Sequence, residues 1–216
     1  HIICGIMVLT ITLRRASKQK MEDAPIEWVN KRKLRAKTSV NTVWWLCKNP
    51  KGCKADVRNV LTPYSSKMKN LIDHPEQYIK GDSVERPSGH VLTISSWAKD
   101  NGGAIPPNML QFPNSESNSQ YLRYCKKCGV KGHPARFPRA LPEFFIKFLT
   151  SEGDLVVDIF GGSNTTGMTA EGLNRRWKTF EISQEYVAAS AFRFAKDDIE
   201  AQTVYDSIMA GNDVEI

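Results

Sequence analysis

The sequence predicts an α/β fold in which short strands, a tight glycine turn and helices alternate. Three observations carry the expectation. An apolar run, Leu155-Val156-Val157, ends in an acid, Asp158, and passes through Gly161-Gly162-Ser163 into a helical pattern that starts near Thr165. A second short strand, Trp177 to Phe180, closes on Glu181, 23 residues after Asp158. Helical stretches over 138–150, 165–174 and 184–196 flank the two strands.

A strand, a tight turn and a helix start form the local architecture that holds a nucleotide-like cofactor. Glycines let the backbone approach a ligand, and the first helical turn offers free N–H groups. An acid at the tip of the next strand can accept hydrogen bonds from ribose hydroxyls. The dinucleotide pattern G-x-G-x-x-G is absent, and Asn164 stands where a second loop glycine would. No Lys-Ser or Lys-Thr pair directly follows the glycine turn, which excludes a phosphate P-loop.

The remaining elements follow in chain order. Residues 2–13 are apolar and precede Arg14 and Arg15. Twelve residues are too few for a membrane helix, which needs about 20. A secretory signal carries its basic residues before the apolar run, so a buried strand is expected. Thr42-Val43-Trp44-Trp45-Leu46 is rich in β-branched and aromatic residues and predicts a strand, with Trp45 and Trp177 expected in the core. Residues 56–132 hold six prolines with many Ser, Asn and Gly, which predicts loops broken by helices near 65–72 and 119–126. Over 138–150, Leu141, Phe144, Phe145, Phe148 and Leu149 recur at helical spacing, with Pro142 in the first turn. One more short helix is expected after Ala201.

Composition narrows the class. The 216 residues are 41% apolar and 25% charged, an ordinary globular composition rather than a disordered one. Lys and Arg number 30 against 23 acids, and the net charge of +7 suits a polyanionic partner. The excess is densest between Arg14 and Lys54, where a phosphate-tracking surface and a solvated basic face are both consistent with the charge. Five cysteines with no secretory signal point to free thiols in a reducing compartment, hence a cytoplasmic location. Cys125-Lys-Lys-Cys128 with His133 has some zinc character, but Cys47 and Cys53 are spaced unlike a paired knuckle, so no metal site is assigned.

Asp158, Phe160, Gly162, Ser163, Thr165 and Thr166 spell D-x-F-x-G-S-x-T-T. This resembles the S-adenosylmethionine motif of amino-group DNA methyltransferases. Residues 26–32, 41–46, 54–58, 60–65, 100–106, 114–118 and 133–138 also look like segments of site-specific DNA methyltransferases, so the resemblance covers roughly 24–195. The order of parts matches the β class, and the His-Pro-Ala-Arg-Phe-Pro and Ser-Asn-Thr-Thr segments look most like enzymes of the cytosine-N4 type, with adenine N6 the close alternative.

The resemblance implies a partial Rossmann-like S-adenosylmethionine methyltransferase fold with an irregular target-recognition insertion. It implies a remnant of the catalytic half over 1–55, target recognition over 56–132, a cofactor-binding subdomain over 133–200 and a tail over 201–216. Asp158, Gly162, Ser163, Asn164, Thr165 and Thr166 would surround the methionine part of the cofactor, Glu181 would take the ribose hydroxyls, and Phe160 would pack beside it. His133 and Pro134 through Phe137 would close over the methionyl carboxylate, with Arg136 as its bidentate partner. Both His133 and Arg136 also admit a purely structural reading. Double-stranded DNA is the implied partner, with a restriction endonuclease as functional counterpart. The family's Ser-Pro-Pro-Tyr or Asp-Pro-Pro-Tyr, which grips the flipped base, is absent; the sole Pro-Pro is Pro106-Pro107. No catalytic residue is therefore assigned. The expectation is the C-terminal part of a longer enzyme, inactive alone, with exposed apolar sheet edges; a non-catalytic DNA-binding remnant is the rival reading.

Overall fold

A computed structural model describes residues 32–33, 43–78, 83–93, 98–112 and 119–215. The expected strand over 2–13 and the quoted segments 26–31, 41–42 and 114–118 lie outside the described residues. Two compact units are distinguished, 1–53 and 54–216.

Among the described residues of the first unit, a 3-10 turn, Pro50–Gly52, is capped by the Asn49 side chain, which accepts from the Lys51 N–H. The strand expected at 42–46 does not form over its described residues, and Trp44 and Leu46 are exposed. Trp45 is 48% exposed, which corrects its assignment to the core. Aromatic and β-branched residues favour strands because they fit a paired, half-buried surface. No ladder partner faces 43–46 among the described residues.

The second unit opens with a 3-10 turn, Val57–Val60, capped by Asp56. Helix α1 (Ser66–Asp73) follows, its Ser65 hydroxyl accepting from the Met68 N–H. A small antiparallel hairpin pairs β1 (Ser83–Glu85) with β2 (Val91–Thr93). Next come α2 (Gln120–Lys127) and α3 (Ala140–Leu149). The cofactor-type region is β3 (Leu155–Asp158), α4 (Thr165–Glu171) and β4 (Arg176–Thr179). Helix α5 (Gln184–Ser190) runs into a 3-10 turn, Ala191–Arg193, and α6 (Asp198–Met209) ends the fold. That last helix is longer than expected. Asp197 explains its start, since the carboxylate accepts from the N–H groups of both Ile199 and Glu200.

Strands β3 and β4 pair in parallel, with Leu155 opposite Arg176 and Asp158 opposite Thr179. Pairing ends at residue 180, where the Phe180 N–H reaches the Asp158 carbonyl and Phe180 accepts from Gly161. Glu181 thus lies just beyond the strand, not within it. Alternation then sorts the side chains. Val156, Asp158, Trp177 and Thr179 are partly covered, while Leu155, Val157, Arg176 and Lys178 are exposed. Helix α4 packs on both strands and on α3.

Helix α3 departs from its sequence pattern. Its buried residues are Pro142 and Ile146, while Phe144, Phe145 and Phe148 are half-buried and meet one another edge-on or tilted. Asp56 N–H ties the first turn to the end of this helix through the Phe148 carbonyl, and Lys54 pairs with Asp154 at 2.7 Å. Partial burial pushes the Asp154 carboxyl up, but the Lys54 ammonium and the Ser151 N–H outweigh it and hold the group below its ordinary value.

A second core joins α2, α5, the 191–193 turn and α6. Tyr121, Tyr124, Cys125, Ala189, Phe192, Ala195 and Ala201 are buried in it. Phe192 is fully enclosed, edge-on to Tyr124 and stacked on Tyr205. Gln120 and Tyr124 fasten α2 to the chain after α5 by donating to the carbonyls of Ala195 and Lys196. Truncating the enclosed ring, Phe192→Ala, is expected to cost about 3–5 kcal/mol. A urea-unfolding midpoint close to wild type would show that this core is not the one holding the unit together.

Candidate functional site

The loop from Phe160 to Thr166 owes its shape to residues at both strand ends. At the end of β3, the Asp158 carboxylate accepts from the Phe160 N–H (3.0 Å) and from the Thr166 hydroxyl (2.6 Å), so it spans the loop. Beyond β4, the two Glu181 oxygens accept from the Gly162 N–H and the Ser183 N–H, each at 3.0 Å. The two acids therefore converge on one turn.

Gly162 sits at φ 52°, and a side chain there would meet the His133 ring at 3.2 Å. Asn164 is also left-handed, at φ 54°. Asparagine is one of the few residues that tolerates this region, which explains how it serves where a glycine seemed due. Its side chain caps α4 by accepting from the Gly167 N–H at 3.1 Å. Gly167 is required for the same reason. A Cβ there would fall 2.2 Å from Asn164 Oδ1 and 2.8 Å from the Trp177 ring.

His133 approaches from the segment before α3. Its N–H donates to the Tyr121 hydroxyl at 2.9 Å, and its ring lies edge-on to Tyr186 at 4.6 Å. Nδ1 stands 3.0 Å from the Ala135 carbonyl and 3.3 Å from the Ala135 N–H, so the tautomer decides which contact is made. Arg136 turns back to donate to the His133 carbonyl, and Pro134 is exposed.

The expected residues thus fall into two sets. His133, Asp158, Gly162 and Glu181 meet around one turn, with Phe160 beside it, 80% exposed. Ser163, Asn164 and Thr165 belong to the turn, but their side chains are buried and directed into the protein. Arg136 is engaged by its own segment. Trp177 stacks on Phe194 at 5.2 Å and donates Nε1–H to Glu171, a packing role as expected.

Sequence reasoning missed Arg193, which donates through Nη2 to Ser163 Oγ (3.0 Å) and Thr165 Oγ1 (2.9 Å) and through Nε to the Ser163 carbonyl. One signal could have found it. Arg193 is the single charge in Ala188-Ala189-Ser190-Ala191-Phe192-Arg193-Phe194-Ala195. A lone cation in a small apolar run is seldom placed there without a polar target. Tyr121 was missed too. Burial pushes its hydroxyl up to about 12, against the opposing pull of the His133 N–H.

Fold and loop together define a βαβ unit whose two acids converge on one glycine turn. A sequence profile described as DNA methylase matches residues 11–192. Type II methyltransferase M.PvuII of Proteus hauseri is 55% identical over 196 residues, covering 89% of this chain and 57% of that protein. Type II methyltransferase M.HpaI of Haemophilus parainfluenzae is 29% identical over 137 residues, covering 62% of this chain and 38% of that protein. Among solved structures, PvuII DNA methyltransferase (cytosine-N4-specific) superposes with a TM-score of 0.64 at 46% identity, covering 88% of this chain and 54% of that one. The chain belongs to the DNA methylase family of N6 and N4 methyltransferases. It spans about half the length of the curated relatives it matches.

Two outcomes test the geometry. Gly167→Ala is expected to lower stability by about 1–3 kcal/mol, because Asn164 and Trp177 must both shift; an unchanged melting temperature contradicts the contact. Tyr121 keeps its proton more tightly when folded than its ordinary value near 10 allows. Its contribution is therefore complete below about pH 10 and is lost as pH rises toward about 12. Tyr121→Phe should lose about 1 kcal/mol at pH 8 with the hydrogen bond to His133, yet decline less than wild type between those limits. Parallel melting curves of the two proteins across that range check it.

Proposed function

We propose that this chain is the S-adenosylmethionine-binding portion of a site-specific DNA methyltransferase of the cytosine-N4 type, acting in a restriction-modification system. The observation that carries the reading is the convergence of Asp158 and Glu181 on one glycine turn. The 55% identity to M.PvuII over most of this chain supports the base type.

The residues suit the cofactor. A carboxylate has about four lone-pair sites. Glu181 uses its oxygens for one backbone N–H each, which leaves acceptor capacity for the two hydroxyls of a ribose. Asp158 is placed likewise, with one donor on each oxygen, and its charge suits an ammonium group. Both acids are only partly buried, so a ligand reaches them. Phe160 offers a flat apolar face beside them. The His133 ring borders the turn at Gly162, with Pro134 next to it in sequence and Arg136 donating to the His133 carbonyl.

When bound, the cofactor supplies an electrophilic methyl group on sulfonium sulfur. That methyl group would be the one passed to an exocyclic amino nitrogen of DNA, with S-adenosylhomocysteine left as the other product. This chain's residues contribute positioning: Glu181 and Asp158 fix the cofactor, and the turn keeps it at the strand ends. Double-stranded DNA is the substrate in this reading, the cytoplasm the location, and a restriction endonuclease the functional counterpart. Among the described residues no helix is long and apolar enough to cross a membrane. The 216 residues contain no Ser-Pro-Pro-Tyr or Asp-Pro-Pro-Tyr, so methyl transfer by this chain alone is not expected.

Calorimetry with S-adenosylmethionine and with NAD tests the pocket. Binding of the sulfonium cofactor is expected, with Glu181→Gln weakening it at least about tenfold, the loss of one or two hydrogen bonds to a charged group. Preference for NAD, or undiminished affinity in the variant, removes the reading.

A further inference from the structure

We infer that Arg193 is a positioning residue for the cofactor turn, holding it from beneath in its binding shape. The inference rests on the reading that this turn holds S-adenosylmethionine. Arg193 lies in the 3-10 turn after α5, only 7% exposed, and belongs to the helical core rather than to the βαβ region. Its guanidinium reaches the turn before α4. Nε donates to the Ser163 carbonyl, and Nη2 donates to both Ser163 Oγ and Thr165 Oγ1. Nη1 lies 3.9 Å from the Met168 sulfur, one turn along α4. A single planar group thus grips the backbone and side chain at one end of the turn, the hydroxyl at the other, and the helix that follows.

The opposite face of the guanidinium explains why it holds still. Its carbon lies 4.9 Å from the centroid of the Tyr121 ring, a cation–π distance. The Tyr121 hydroxyl in turn accepts the His133 N–H, and the His133 ring rests against Gly162. Arg193 and Tyr121 therefore hold the turn at two points, from below at Ser163 and Thr165 and from the side at Gly162. Two residues of that turn, Gly162 and Asn164, have left-handed backbone. Such a turn persists only where its surroundings over-determine it. Lysine cannot substitute, because a point charge lacks the fork that reaches a carbonyl and two hydroxyls at once.

The test compares wild type, Arg193→Lys and Arg193→Met by amide hydrogen exchange without ligand and by calorimetry with S-adenosylmethionine. Leu71→Ala, in α1, serves as a control that lowers stability away from the turn. The expected result is faster exchange confined to the amides of 162–166 in both Arg193 variants. Cofactor affinity should fall at least about tenfold in each, as the loss of two or more of its three charge-assisted hydrogen bonds implies. The control should keep wild-type affinity despite a lower melting temperature. Should Arg193→Met fail to fold, Arg193→Lys decides alone. Wild-type-like exchange at 162–166 overturns the inference, as does full cofactor affinity in a folded variant; in both cases the functional proposal survives. If wild type binds no cofactor but the variants still release the 162–166 amides, the clamp stands and the functional proposal falls.

Discussion

The site depends on the carboxylate of Glu181 bridging two backbone N–H groups from different loops. Gly162 belongs to the turn after β3, and Ser183 to the start of α5 after β4. One side chain therefore ties the two strand exits together where the parallel ladder has already ended. Without it, the turn would be anchored on that side only by the Gly161 N–H to the Phe180 carbonyl. The carboxylate has a further property that a backbone bridge lacks. It remains an acceptor after both bonds are made, so the group that shapes the loop can also meet a ligand.

Polar groups in the turn divide by depth. Ser163, Asn164 and Thr165 are buried, and each spends its side chain on the protein: Asn164 on the Gly167 N–H, and Ser163 and Thr165 on Arg193. A buried hydroxyl or amide left unpaired costs about 1–3 kcal/mol, so these partners are requirements of the fold. Asp158 and Glu181 are partly open, and Phe160 is almost fully so. The inward set makes the shape, and the outward set leaves two carboxylates and a ring open to a ligand. The motif thus mixes residues of both kinds, and the string D-x-F-x-G-S-x-T-T does not by itself distinguish them.

That mixture marks where the sequence was legible. The β3–α4–β4 unit was readable because a short apolar run, a glycine turn and a spaced acid are local signals. Helices α1 and α2 fall where they were expected, near 65–72 and 119–126, and the structure shows a serine cap at the start of each. Over 43–46 the expected strand does not form, because strand formation depends on a partner that no local pattern reports. Helix α3 was placed correctly, but Ile146 and Pro142 are buried rather than the aromatic stripe. Periodicity reports which residues share a face, not which neighbour covers it. The partners of Arg193 were illegible for a related reason. Its targets lie 28 and 30 residues away in sequence, so only the packing of α5 against the turn brings them together.

The same packing bears on how the turn would receive a ligand. A flexible loop that orders on binding loses conformational entropy at that moment, and affinity falls accordingly. Here the ordering is carried by contacts made without ligand: the Asp158 span, the Glu181 bridge, the Asn164 cap and the Arg193 grip. They come from β3, the β4 exit, the turn itself and the helical core. No single element can move without straining another. The two left-handed residues, Gly162 and Asn164, are the strained positions that such redundancy has to hold. A turn shaped this way presents its open carboxylates at a fixed separation, which is what recognition of a ligand with a diol at one end and an ammonium group at the other requires.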